Sequence, residues 1–385
     1  MDKKENNSLI GNKELLKTVF NDKKQYIEKK RNYGIDLFKI LATINVVILH
    51  INKHSGLIKL KSYSSKYKSI WFLEILAYWA VNGFGLISGF VGFKKYRYSN
   101  LIYIWIEVLF YSILITIILL FINKISYKEV FYSFFPILAK RQWYVNAYFS
   151  MYLFLPFINE GIKNLNKNIL RNIVIFFILF FSFYHIIAKI IKKTEYNFLN
   201  NGYSTTWLVI LYIIGGFFGK YVINSENKVK IKYYIFWIFI YFFLSFFTFR
   251  VFLKNKQFKK YIPNNLFIDY LSPTILFQAI SLLMFFSKMK VKNIFIQNII
   301  NFLSPLNFSV ILIHGDLFQT RNIFINKFFK WIINYKGSFI LLRIYLISIF
   351  IYIMCVLIDY LRFSLFRLLK IKKFCEIIEN IKYIY

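Results

Sequence analysis

The chain has 385 residues, of which 58% are hydrophobic and 22% aromatic, too much apolar surface for one water-soluble core. Its formal charge of +34, from 51 Lys and Arg against 17 Asp and Glu, is spread along a sequence rich in Asn, Ile, Phe and Tyr, the bias that AT-rich coding produces. It is therefore not read as a nucleic-acid footprint, and no nucleic-acid partner is expected; basic residues beside apolar runs hold topology and meet anionic headgroups of the lipid bilayer.

Apolar runs long enough to cross a hydrocarbon core of roughly 30 Å recur down the chain. They are continuous rather than alternating, which excludes a β-barrel and leaves an all-α integral membrane protein, a polytopic bundle of about ten transmembrane helices. The expected spans are 35–53, 71–93, 101–123, 143–159, 170–190, 205–222, 233–252, 271–287, 305–325 and 338–362. Residues 1–34 form a cytoplasmic N-terminal segment, 35–365 the transmembrane domain and 366–385 a cytoplasmic C-terminal tail. The charged start has no short apolar core followed by a small-residue cleavage site, so the first span is expected to be an uncleaved anchor. The segment before it has apolar residues at helical spacing and reads either as a surface helix on the inner leaflet or as a solvated lead-in. A modest excess of Lys and Arg on one side places the protein in the cell membrane, multi-pass, with both termini cytoplasmic.

The first span, GIDLFKILATINVVILHI, carries Asp36, Lys39 and His50. Eleven helical steps return His50 to nearly the face of Lys39, with Thr43 between them, and Asp36 lies one turn before Lys39, in reach of an ion pair. Ionisable groups inside a span cost free energy and usually line a cavity or pathway. The competing readings are a Lys39 that snorkels to the headgroups and an interfacial His50 at the helix end. Glu107, within the third span, needs a counter-ion, for which Lys39 and Arg97 are the candidates. His54 and His185 look peripheral. The two cysteines, Cys355 and Cys375, imply no disulfide framework, no His and carboxylate cluster has metal spacing, and there is no Gly-rich phosphate loop.

The basic residue, ten residues and a histidine of this first helix resemble the signature of the membrane-bound acyltransferase-3 family, the O-acyltransferases that modify bacterial surface glycans. Further blocks agree in order and spacing: AVNGFGLISGFVGFKKYRYSN (80–100), RQWYVNAYFSMYLFLPFIN (141–159) and FLSPLNFSVILIHGDLF (302–318). The chain departs from the family in having Lys39 where Arg is usual, and the two differ where a planar fork must hold a phosphate or carboxylate. The chain also ends soon after its last span, without the appended hydrolase-like domain of some members.

The resemblance implies an acyltransferase that moves acetyl from acetyl-CoA to a hydroxyl of a membrane-linked glycan, with acetyl-CoA as donor substrate and no bound cofactor. It implies His50 as catalytic base or acyl carrier, acting with Lys39; a neutral imidazole suits proton abstraction near neutral pH. Arg97 and Lys39 are then placed for the CoA phosphates, while Lys94 and Lys95 beside Arg97, placed to meet the same phosphates, read rather as ordinary inside-positive charge. Arg141, Gln142, Trp143 and Tyr144 are candidate acceptor-binding residues, against the alternative of an interfacial aromatic belt, and His314 is a further candidate there. Ser88 and Gly89 read as small residues that let helices approach closely or line a channel. A glycan or glycolipid exporter is the competing function; it predicts symmetric halves or broken helices with paired midplane sites, which the sequence lacks.

Overall fold

The computed structural model describes residues 31–60, 64–93, 96–121, 126–139, 142–191, 199–222, 229–257, 266–321, 332 and 337–381. The reading of residues 1–30 as a surface helix falls outside them. Among the described residues the chain is helical, with no strand. In order the helices are α1 (Tyr33–His54), α2 (Ser65–Ala77), α3 (Ala80–Gly92), α4 (Tyr98–Phe121), α5 (Tyr127–Ser133), α6 (Trp143–Asn164), α7 (Lys167–Phe177), α8 (Tyr184–Ile190), α9 (Thr205–Val222), α10 (Ile231–Gln257), α11 (Pro273–Ser287), α12 (Ile294–Leu303), α13 (Asn307–Arg321), α14 (Gly337–Leu368) and α15 (Ile371–Ile381).

Seven helical stretches among the described residues are long and apolar enough to cross a membrane, and two shorter apolar helices, Thr205–Tyr221 and Pro273–Ser287, accompany them. The chain is a polytopic all-α membrane protein. The first span is two-thirds buried, whereas Lys167–Ile190 and Ile231–Lys254 are each 22% buried. α1 is thus a central helix, and α7, the π-helical turn Ile178–Phe183 that follows it, and α10 present Phe176, Phe180, Phe239 and Phe246 outward, as lipid-facing helices must.

Two expected spans differ in outline. The stretch expected at 71–93 starts at Ser65 and breaks between α2 and α3. At the break the Tyr241 hydroxyl donates to the Leu76 carbonyl at 2.7 Å. A side chain thus takes the acceptor that the next helical turn would use, a recognised cause of kinking. The stretch expected at 305–325 starts at Ile294, because Pro305 does not begin a helix but sits in a 3₁₀ turn, Ser304–Leu306, joining α12 to α13. Proline's fixed φ suits that position.

Small residues let α3 and α9 touch backbone to backbone. A Cβ built on Gly89 would lie 1.8 Å from the Tyr212 carbonyl oxygen, and one on Gly215 would lie 1.9 Å from that of Leu86. This is the close packing that replaces the hydrophobic effect between helices in lipid.

Glu107 does not pair with Lys39 or Arg97. Its partner is Arg362 of α14, 3.2 Å away; Ser309 donates to it as well. Arg362 also holds Asp359 through two bonds of 2.8 Å, and Tyr111 donates to Asp359 at 2.6 Å. The carboxylate on α4 is answered from a helix some 250 residues away, which spacing along one helix cannot reveal. His185 does not line the cavity described below, but it is buried, 2.9 Å from Asp269, with Lys189 on the same carboxylate.

Two stability predictions follow from these contacts. Gly89→Ala should cost about 1–3 kcal/mol, because the backbone it meets has no room to give, whereas Gly161→Ala, with nothing within 4 Å of the added Cβ, should leave the melting temperature unchanged or raise it. Arg362→Leu should cost about 3–5 kcal/mol by stranding two buried carboxylates. Thermal unfolding of the purified protein in detergent measures all three; equal effects at Gly89 and Gly161 would refute the close-approach account.

Candidate active site

The last two turns of α1 carry His50, Lys53 and His54 into a cavity of about 370 Å³, within the usual size range of small-molecule sites. The break after α2 turns Tyr78 towards the same space, with Glu74 one turn earlier. Gln142, Trp143 and Tyr144 enter from the start of α6, and Ile311 and Gly315 from α13. Tyr203 and Tyr270 come from the segments before α9 and α11.

His50 Nδ1 lies 2.9 Å from His314 Nε2. His314 itself is buried in α13, 1% exposed, and its Nδ1 bonds the Val310 carbonyl. A carbonyl can only accept, so His314 Nδ1 carries a hydrogen. With both rings neutral, His314 Nε2 then holds a lone pair and accepts from His50 Nδ1–H, which leaves the lone pair of His50 on Nε2. One backbone carbonyl thereby sets the tautomers of two imidazoles.

The other walls are also held in place. Gln142 donates to the Leu312 carbonyl at 3.0 Å, tying the start of α6 to α13. Asn82 donates to the Tyr270 carbonyl at 2.8 Å and accepts from Trp207 Nε1 at 3.0 Å. The His185, Lys189 and Asp269 cluster lies one residue from Tyr270 and anchors the same segment. Glu74, 6% exposed, accepts from Asn52 at 2.8 Å.

The structure brings His50, Gln142, Trp143, Tyr144 and His314 together; the first four line the cavity and His314 stands behind His50. It does not bring Lys39 or Arg97 there. Lys39 pairs with Asp36 at 3.7 Å near the start of α1, and Asp36 also bonds Arg31 at 2.6 Å and Ser304 at 2.9 Å. Arg97 precedes α4, which begins at the same end of the bundle as α1 because α2 and α3 return the chain there; its carbonyl accepts from Tyr152 at 3.0 Å. Arg141, Lys94 and Lys95 lie outside the described residues.

Sequence reasoning missed Glu74, Tyr78, Tyr203 and Tyr270, and placed His54 at the periphery, although it lines the cavity with its ring 5.9 Å from that of His50. Glu74 carried a signal, a lone carboxylate inside the apolar run IWFLEILAYWA. The tyrosines carried none in a chain with 30 of them. No group of three or more His, Cys, Asp or Glu that could hold a metal ion occurs among the described residues.

No curated protein and no solved structure matches the chain. Residues 32–360 match the acyltransferase-3 family, described as an acyltransferase domain. That stretch runs from the cap of α1 to the last turns of α14 and includes every residue of the cavity, so the chain belongs to the acyltransferase-3 family and is a membrane acyltransferase.

Proposed function

We propose that the protein is an integral membrane O-acyltransferase that transfers acetyl from acetyl-CoA to a hydroxyl of a cell-surface polysaccharide or its lipid-linked precursor, in the cell membrane with both termini cytoplasmic. The observation that carries this reading is the His50–His314 pair in the wall of the cavity. His50 is the base and His314 the residue that positions it.

The acceptor hydroxyl gives its proton to His50 Nε2 as its oxygen attacks the thioester carbonyl. The new C–O bond forms, the tetrahedral intermediate collapses, the C–S bond breaks, and the proton returns from His50 to the thiolate of CoA. The imidazolium formed in between keeps its Nδ1–H bond to His314, so the geometry does not change as the charge develops. The same Nε2 could instead take the acetyl group covalently; that route leaves label on the protein when no acceptor is present, and direct transfer does not.

Gln142, Trp143 and Tyr144 belong to the acceptor side of this scheme. Arg97 and Lys39, at the opposite end of the bundle, are the candidates for the CoA phosphates, and Lys39 would act with its ammonium already shared with Asp36. A flexible pantetheine arm is needed because Lys39 and His50 are roughly 16 Å apart along α1.

Membranes containing the wild type should incorporate radiolabelled acetyl from acetyl-CoA into glycan. His50→Ala should lower the rate by about 10²–10⁴-fold, the usual worth of a general base. His314→Ala should lower kcat by about 10- to 100-fold, the worth of one strong hydrogen bond, and leave the KM for acetyl-CoA unchanged. Label that survives His50→Ala at wild-type rate would remove the proposed base.

A further inference from the structure

Glu74 is the one acidic side chain that lines the cavity among the described residues. It projects from an apolar helix within a candidate span, a position where a carboxyl is costly unless it serves a site. Among the described residues the other buried carboxylates are ion-paired: Asp36 with Arg31 and Lys39, Glu107 and Asp359 with Arg362, Asp269 with Lys189. Glu74 instead accepts a hydrogen bond from Asn52 and opens on the cavity, where Lys53 is the cation that acts on its charge. Asn52 stands two residues after His50, so α1 fixes both the base and, through Asn52, the carboxyl.

The cavity that Glu74 lines also carries a cluster of four aromatic rings that meet tilted or edge to face. Trp143 and Tyr203 lie 4.6 Å apart between ring centroids, Tyr203 and Tyr270 5.0 Å, and Tyr270 and Tyr78 5.0 Å. Ring faces cover apolar C–H surface, while a carboxyl accepts hydrogen bonds from hydroxyls. A pyranose has both features: a C–H face and a rim of hydroxyls. An alkyl alcohol has no rim for the carboxyl, and a phosphate headgroup has no apolar face for the rings.

We propose that Glu74 orients the acceptor, bonding one hydroxyl of a pyranose ring that packs against the Trp143, Tyr203, Tyr270 and Tyr78 cluster, so that another hydroxyl of the same ring meets His50 Nε2. This rests on the acyltransferase reading above and adds to it a residue that selects which hydroxyl reacts.

The test is equilibrium binding, independent of transfer. Full-length protein in lipid nanodiscs is titrated with methyl hexopyranosides and their monodeoxy analogues, followed by saturation-transfer NMR, for the wild type, Glu74→Ala and Glu74→Gln, with retention of the monodisperse peak on size exclusion as the check on folding. The wild type should bind a glycoside, and removal of one particular hydroxyl should weaken binding by about 10- to 100-fold. In Glu74→Ala the parent glycoside should bind as weakly as that deoxy analogue does to the wild type, and the penalty for removing that hydroxyl should vanish, the signature of a direct contact; Glu74→Gln should restore part of the affinity. Absence of glycoside binding, equal binding by the wild type and Glu74→Ala, or a deoxy penalty that persists in Glu74→Ala would each overturn the assignment. Glycoside binding with these signatures but no acetyl transfer would instead overturn the reaction and leave the subsite standing.

Discussion

A polar side chain inside hydrocarbon has no water to bond with, so every such group in a membrane protein must find its partner on the chain itself. That constraint decides where the helices of this protein stand around α1. The Asn32 side chain caps the start of α1 and donates to the Ser287 carbonyl at the end of α11. Asp36 takes Ser304, the Lys39 carbonyl takes Asn307, Asn52 reaches Glu74 and His50 reaches His314. One helix is thereby bound to α2, α11 and α13 along its whole length, and the cavity forms at the end where two of these partners are themselves ionisable.

The buried polar groups fall into two kinds, and the difference is informative. The clusters around Arg362 and around Asp269 close on themselves: each carboxylate meets a cation and further donors, and removing a member leaves an uncompensated charge. They lock α4 to α14 and α8 to the segment that carries Tyr270. His50 and Glu74 bond His314 and Asn52 and also line the cavity. Groups satisfied on all sides stabilise; groups held from behind and open in front are positioned to meet a substrate.

The architecture was legible in the sequence because lipid imposes a simple rule, long continuous apolar runs, and because Lys39 and His50 break that rule visibly. Spans were misdrawn where a local signal was overridden by a distant group: the Tyr241 hydroxyl that takes the Leu76 carbonyl, and Pro305, which marks a bend rather than a start. Pairings were the least legible. Glu107 was expected to pair with Lys39 or Arg97 and finds Arg362, and nothing in the sequence tied His185 to Asp269, 84 positions away. Helical periodicity reports which residues share a face, but not which other helix that face meets. Glu74 was accessible to the same reasoning that singled out His50, and it lines the same cavity.

The two polar ends of α1 differ in access, and this bears on the proposed transfer between a donor and an acceptor on opposite sides of the membrane. On α1 the cavity lining runs from Val46 to His54, whereas Ala42 and Thr43, on the way to Lys39, are fully buried. The Thr43 hydroxyl is turned back onto the Lys39 carbonyl at 3.1 Å, so it offers no polar path. A donor whose phosphates rest near Lys39 therefore has to separate packed helices before its thioester reaches His50, while an acceptor arriving at the other end meets a cavity already formed. Helix pairs joined by side-chain bonds, as α1 is to α13 through Asn307 and Lys39, resist that separation, whereas apolar contacts between helices in lipid resist it less. In the proposed scheme the cost of opening thus falls on the donor's side, away from the cavity that His50 already lines.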